Sequence, residues 1–239
     1  MTADDEAQIG DLLRVFALAT DRAVPREMAA LMCADEAESF LDNVANPDAD
    51  EPVDTDSDPV GVLGVRVFGD IALARFTRPY FGGKDQTLVC RREGGRWTVC
   101  ADAEDELSLE QLDDDVRVAS EDATAVIRRV HALRRQPIGS LTTADIRILL
   151  SHNEGLSHLL PRAAVQLQWD PLLQGDLGPG DLLVAVLGID EEYWSKDPVS
   201  LTRIRLAIDK LGEIRDDNVH DVPADEVWDR AAAFVADHP

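Results

Sequence analysis

Between Val60 and Asp105 the sequence changes period. The runs "VGVLGVRVFG", "DIALARFTRP", "QTLVCRREGG" and "RWTVCADAED" alternate in the manner of strands, and Gly69-Asp70, Gly82-Gly83 and Gly94-Gly95 mark turns between them. Long apolar patterns on either side recur at helical spacing instead. One element cannot follow both periods, so the chain is expected to build a meander of antiparallel strands, with helices before it and a separate helical body after it.

The helices before the meander read in order. In "IGDLLRVFALATD", Ile9, Leu12, Leu13, Phe16 and Ala19 or Thr20 define one amphipathic helix. "PREMAALM" follows, with Pro25 in a first-turn position where its missing N–H does no harm, and "ADEAESFLDNV" makes a third short helix. Asn46 to Pro59, with six acids and three prolines, is expected to be an exposed loop. It lacks the turn glycine and closing Glu of a calcium loop.

From Ala101 to Asp122 there are ten Asp or Glu and one Arg, read as an acidic connector with a short helix at "SLEQL". The expected organisation is an α+β domain over 1–105, a linker over 106–122 and an all-α domain over 123–239, within the size range for two small domains in 239 residues. In the last of these, "ATAVIRRVHALRRQ" places Ala125, Val126, Val130 and Leu133 on one face. "SLTTADIRILLSHNEG" offers Thr142 or Thr143 as an N-cap, Ile146, Leu149 and Leu150 as a buried stripe, and an Asn-Glu-Gly stop. "LSHLLPRAAVQLQWDP" is a helix that Pro161 should kink or divide, and "DPVSLTRIRLAIDKLGE" and "PADEVWDRAAAFVADH" supply the last two.

Forty-seven acids against 23 Lys and Arg give a formal charge of −24, which repels a phosphate backbone and an anionic membrane alike. Direct nucleic-acid binding and membrane association are therefore not expected. The charge fits either a solubilising surface or one made to meet a basic protein. Three cysteines, Cys33, Cys90 and Cys100, show no CxxC spacing; their odd number argues against a disulfide framework and for a reducing compartment. Cys90 and Cys100 could face each other across a hairpin, but buried small apolar residues are the expected role. The acidic start "MTADDEAQIG" lacks a signal-peptide pattern, and no apolar run approaches the roughly 20 residues that span a bilayer. A cytoplasmic protein is expected.

The stretch "GDLGPGDLLVAVLGIDEEYW", Gly175 to Trp194, has glycines that suggest a phosphate loop. Such a loop follows a strand and supplies Lys and Ser or Thr, whereas here a helix precedes, no Lys follows Gly180, and Asp176 and Asp181 would repel phosphate. It reads better as helix punctuation. Asp181 caps a helix whose "LLVAVL" is buried all round, Glu191 and Glu192 begin another, and Tyr193 and Trp194 close the core.

Helices followed by an antiparallel meander, with "FGDIALARF" and "LVCRREGGRWTVC" as hairpins, resemble the NTF2-like (SnoaL-like) family over residues 5–105. The resemblance implies a cone of helices on a curved antiparallel sheet. Some members are isomerases or dehydratases with an Asp–His pair. This half has no His, leaving Asp11, Asp21 and Asp70 without an obvious partner.

Ala132 to Trp194 resembles the immunity proteins of contact-dependent growth inhibition (CDI), within a span of about 125–212. The carrying motifs are the basic turn before Pro137, "LTTADIRILL", "GLSHLLPRA", Asp170-Pro171, "GD" then "GDLL", "AVL" and the final "YW". The resemblance implies a cytoplasmic antidote that binds the toxic C-terminal domain of a delivered effector, often a basic nuclease, and covers its active site. It brings no catalytic residue, cofactor or metal. Candidate partner contacts are Asp176, Asp181, Asp190, Glu191, Glu192 and Asp197, which flank the helix joints of the matched segment.

His131, His152 and His158 carry no HExxH pattern, and His152 and His158 at i, i+6 do not share a helical face. Ser151 beside His152 ends a helix and lacks the GxSxG elbow. The alternative function is a small-molecule-binding or isomerase-like cone with an accessory helical domain. A third option is a cone that serves only to form a homodimer.

Overall fold

The computed structural model describes residues 3–47, 58–79, 82–216 and 225–237. The chain divides into two compact units, 1–106 and 107–239.

The first unit mixes helix and sheet. Helices α1 (Ala3–Arg22), α2 (Pro25–Ala29) and α3 (Ala34–Asn43) precede strands β1 (Gly61–Phe68), β2 (Ile71–Thr77), β3 (Asp85–Glu93) and β4 (Arg96–Val99). The strands form an open antiparallel sheet in the order β1-β2-β3-β4, each joined to the next. Gly69, Gly82, Gly83, Gly94 and Gly95 have positive φ at the turns that Gly69-Asp70, Gly82-Gly83 and Gly94-Gly95 mark in the sequence. In the acidic loop 46–59, residues 48–57 lie outside the described residues.

The α1 stripe does what its spacing implies. Ile9, Leu12 and Leu13 are buried against Val65, Ala72, Ala74, Cys90, Trp97 and Val99, with Phe16 partly buried beside them. Each such aliphatic side chain contributes roughly 1.5–3 kcal/mol on leaving water. Ala19 is buried, while Thr20 is exposed and donates its hydroxyl to the Phe16 carbonyl at 2.8 Å.

Two of the three acids that lacked a visible partner have one in the fold. Asp21 Oδ2 lies 2.5 Å from Arg78 Nη2, and the Arg78 side chain is buried. Asp11 pairs with Arg14 one turn along at 2.7 Å, both exposed. The second pair is worth little, since exposed ion pairs typically give under about 1 kcal/mol.

The cysteines correct the sequence reading. Cys33 and Cys100 form a disulfide with a Cα–Cα distance of 5.3 Å, and Cys90 is the free, buried one. An odd count does not exclude one bond. The bonded residues stand 67 apart in sequence, and only the fold brings the end of β4 against the start of α3. Cys90 and Cys100 are not the bonded pair: Cys90 is opposite Val99 in the ladder, and its side chain belongs to the core.

Among the described residues, the regular elements of the second unit are all helical: α4 (Leu109–Asp113), α5 (Ala125–Leu133), α6 (Thr143–Leu150), α7 (Leu156–Trp169), α8 (Asp181–Leu187), α9 (Glu191–Trp194), α10 (Pro198–Asp216) and α11 (Asp225–Asp237), with a short 3-10 helix at Ile138–Ser140 between α5 and α6. α10 packs along α7, and α8 packs against α6 and α11. Leu149, Leu150, Leu159, Leu160, Leu167, Leu182 and Leu183 form much of the buried interior.

Helix α6 starts where its sequence says. Thr142 accepts the Asp145 N–H and Asp145 accepts the Thr142 N–H, a reciprocal cap. Burial pushes the Asp145 carboxyl up, but hydrogen bonds from the Thr142 hydroxyl and N–H and from Arg129 outweigh it and hold the group below its ordinary value.

Two expectations for this unit need revision, and of the two outcomes offered for Pro161 the division does not occur. Ala125 and Val126 are exposed, so the buried face of α5 is carried by Val130 and Leu133 at its end. Helix α7 runs unbroken through Pro161. That proline lies early in the helix, beyond the four opening residues whose N–H groups have no partner inside the helix, so it removes one helical bond without dividing the element. Finally, part of the acidic connector is core: Leu107, Leu109 and Leu112 are buried, and α4 opens on a complete capping box from Ser108 and Gln111.

The connector's acids meet a buried cation. Arg134 is only 1% exposed and lies 2.5 Å from Glu154, 3.2 Å from Asp113 and 3.7 Å from Asp115. It also donates to the Asp115 carbonyl at 3.2 Å. The arginine that looked like a helix terminus is a tie joining α4, α5 and the α6–α7 turn.

Candidate functional site

The stretch between α7 and α10 presents loops and short helices from a rigid helical base. Its first loop, 170–180, is tied from outside. Asp181, the first residue of α8, accepts the N–H of Gly175 at 2.6 Å and of Leu177 at 2.8 Å. Arg147 on α6 donates to Asp176 at 2.8 Å and lies 3.6 Å from Asp181. A carboxylate accepting two backbone N–H groups beside a guanidinium forms charge-assisted bonds, roughly twice as strong as neutral ones.

Asp181 is therefore not the helix cap expected of it. Gly180 holds that position, with φ +80°, and a Cβ there would press on Val227 at 3.1 Å. Asp181 is buried, and both its carboxylate oxygens accept bonds from within the chain.

The remaining candidates fall at successive joints. Asp176 is about half exposed beside Arg147. Asp190 accepts a bond from Asn153 at 3.0 Å, and Glu191 is exposed in the first turn of α9. Glu192 is exposed and bridges to Lys196 at 2.8 Å; that hydrogen bond and charge hold its carboxyl below the ordinary value. Asp197 is partly buried and accepts the Ser200 N–H at 3.0 Å, opening α10. In the core beneath, Trp194 meets Phe234 edge-on with ring centroids 5.1 Å apart. Tyr193 is half-buried, and burial followed by the Asp197 charge pushes its hydroxyl up to about 12.

A cavity of about 470 Å³ opens beside the tied loop, lined by Arg147, Ser151, Leu177, Pro179, Asp181, Val184, Val227 and Arg230. Its charges are largely matched: Arg147 faces Asp176 and Asp181, and Arg230 pairs with Glu226 at 3.0 Å.

Exposed apolar side chains that escaped the sequence reading include two on this segment. Trp169, at the end of α7, is 76% exposed, and Leu177, on the tied loop, is 74% exposed. Lys210 of α10 donates to the Trp169 carbonyl, which fixes the helix end that carries it. The signal was present: the buried stripe of α7 runs through Leu160, Ala163, Ala164 and Leu167, and Trp169 falls two residues past it, off the face.

Among the described residues, the histidines make no shared centre. His152 Nδ1 lies 2.8 Å from the Ile148 carbonyl, and His158 lies 3.7 Å from Asp113. Ser151 donates back to the Arg147 carbonyl at 2.8 Å, as a helix-ending serine does.

Most of this helical unit, residues 110–204, matches a single family model. The family is that of the CDI immunity proteins, and all six candidate acids together with Trp169 and Leu177 lie inside the matched segment. Comparisons with curated proteins and with solved structures give no match. Among the described residues, no helix is long and apolar enough to cross a membrane.

Proposed function

We propose that this protein is a cytoplasmic antidote that binds the C-terminal toxin domain of a contact-dependent or related effector and covers its active site. The observation that carries the proposal is the family match over residues 110–204. The contact surface is built on the α7–α10 segment: Trp169 and Leu177 are the apolar anchors, and Asp176, Asp190, Glu191 and Glu192 form an acidic rim.

Two physical features support that reading. An exposed tryptophan is the residue type most enriched among energetic anchors of protein interfaces. A chain of formal charge −24 attracts a basic toxin, such as a nuclease with a phosphate-binding site, and speeds encounter through long-range steering. The first unit lies outside the match. Its helices-then-meander order is the basis for an NTF2-like cone with an accessory role, including self-association.

Calorimetric titration with the toxin domain encoded beside the gene, paired with a growth-rescue assay, tests the proposal. Nanomolar one-to-one binding with rescue is expected. Absence of both would refute the antidote role.

A further inference from the structure

We propose that, when the Cys33–Cys100 bond is reduced, Cys33, Cys100 and Glu36 form a binding site for a divalent cation of the zinc class. The sulfurs of the two cysteines and a carboxylate oxygen of Glu36 all lie within 4.8 Å of one another. This is a thiolate and carboxylate donor set compatible with a tetrahedral zinc site, with water as the fourth ligand.

Backbone hydrogen bonds as well as the S–S bond hold the donors in place. The Cys33 N–H donates to the Val99 carbonyl at 2.8 Å, and the Cys100 N–H donates to the Val89 carbonyl at 2.9 Å. Glu36, in the first turn of α3, accepts the Asp102 N–H at 2.8 Å through one carboxylate oxygen, leaving the other available. That bond orients Glu36 much as outer hydrogen bonds orient metal ligands generally. Both cysteines are buried and Glu36 is partly exposed, so the site is closed on its sulfur side and open to solvent at its carboxylate.

The chemistry balances with a dithiol donor. One donor thiolate attacks a sulfur of the bond, the donor's second thiol resolves the mixed disulfide, and two electrons and two protons pass to the protein as two thiols while the donor becomes a disulfide. Metal binding then releases the two thiol protons to water, and each thiolate sulfur becomes a ligand. Cys90 takes no part. It sits in the sheet core, where burial pushes its thiol up to about 12.

Titration of the full chain with Co²⁺, before and after reduction, tests the site. The reduced protein is expected to bind one equivalent with an intense thiolate-to-cobalt charge-transfer band that Zn²⁺ abolishes, and the oxidised protein to show no such band. Cys33→Ser should remove the band and Cys90→Ala should keep it, while Glu36→Gln should weaken Zn²⁺ affinity by about tenfold or more. A reduced chain that is folded by circular dichroism and shows three thiols when titrated in denaturant, yet gives no charge-transfer band, overturns the proposal and leaves the cysteines as a structural cross-link only. Persistence of the band in Cys33→Ser overturns it as well.

Discussion

At the scale of single residues, the chain concentrates its consequences in a few buried polar groups. Arg134 is the clearest: a cation 1% exposed, with Glu154, Asp113 and Asp115 around it, must be removed with its partners or not at all. Arg134→Leu leaves three carboxylates crowded without their counter-charge, and is expected to lower unfolding stability by about 3 kcal/mol in urea titration. An unchanged midpoint would show that Arg117, which also pairs with Glu154, suffices alone. Cys90 gives a pH prediction. Its thiol is raised by burial from 9.0 to about 12, so the folded state favours the protonated form. The associated stability is fully present below pH 9 and is lost as pH rises toward 12. Cys90→Ala should flatten that alkaline decline in thermal melts, and the native wild-type thiol should resist Ellman's reagent at pH 8 until the chain is unfolded.

At the scale of elements, the α6–α7 turn decides how the connector joins the helical unit. Gly155 has φ +63° and faces Leu109 of α4, so an added Cβ would sit 2.5 Å from Leu109 Cδ2. Gly155→Ala therefore combines left-handed strain with overpacking and should cost about 2–4 kcal/mol, measured by denaturant midpoint. Gly155→Ala with Leu109→Ala should show strong coupling in a double-mutant cycle, because the second change removes the clash. Periodicity made most elements legible: the α1 stripe, the first three strand runs, the Thr142 cap and the Asn-Glu-Gly stop all depend on neighbours within a turn or a hairpin, whereas the fourth run is strand only over Arg96–Val99 and a 3-10 helix over Ala101–Glu106. What was not legible depends on distant partners. The Cys33–Cys100 bond, the Asp21–Arg78 pair and the burial of Leu107, Leu109 and Leu112 join residues whose relation exists only after folding. Asp181 shows the same limit within a few residues. Its position suggested a cap, but the positive φ of Gly180 moved the cap back by one and turned the carboxylate toward the loop.

For the whole molecule, charge and anchors have separable roles in the proposed interaction. Reversing Glu191 and Glu192 to lysine should slow toxin association several-fold at low salt, with the difference shrinking as ionic strength rises, and should change dissociation little. Stopped-flow association rates equal to wild type at low salt would remove these two acids from the steering surface. Trp169→Ala should act in the opposite manner, raising the dissociation rate and costing about 2 kcal/mol or more of affinity with little salt dependence. The tied loop adds something to this division. Leu177 and Pro179 are displayed by the loop, but the loop's course is imposed by Asp181 and Arg147, which stand outside it. In the proposed interaction, recognition and architecture thus fall largely at different positions, with Asp176 belonging to both. The displayed side chains can be exchanged for others while the carboxylate and guanidinium go on drawing the same curve, so the segment can be retargeted to a new toxin without being refolded.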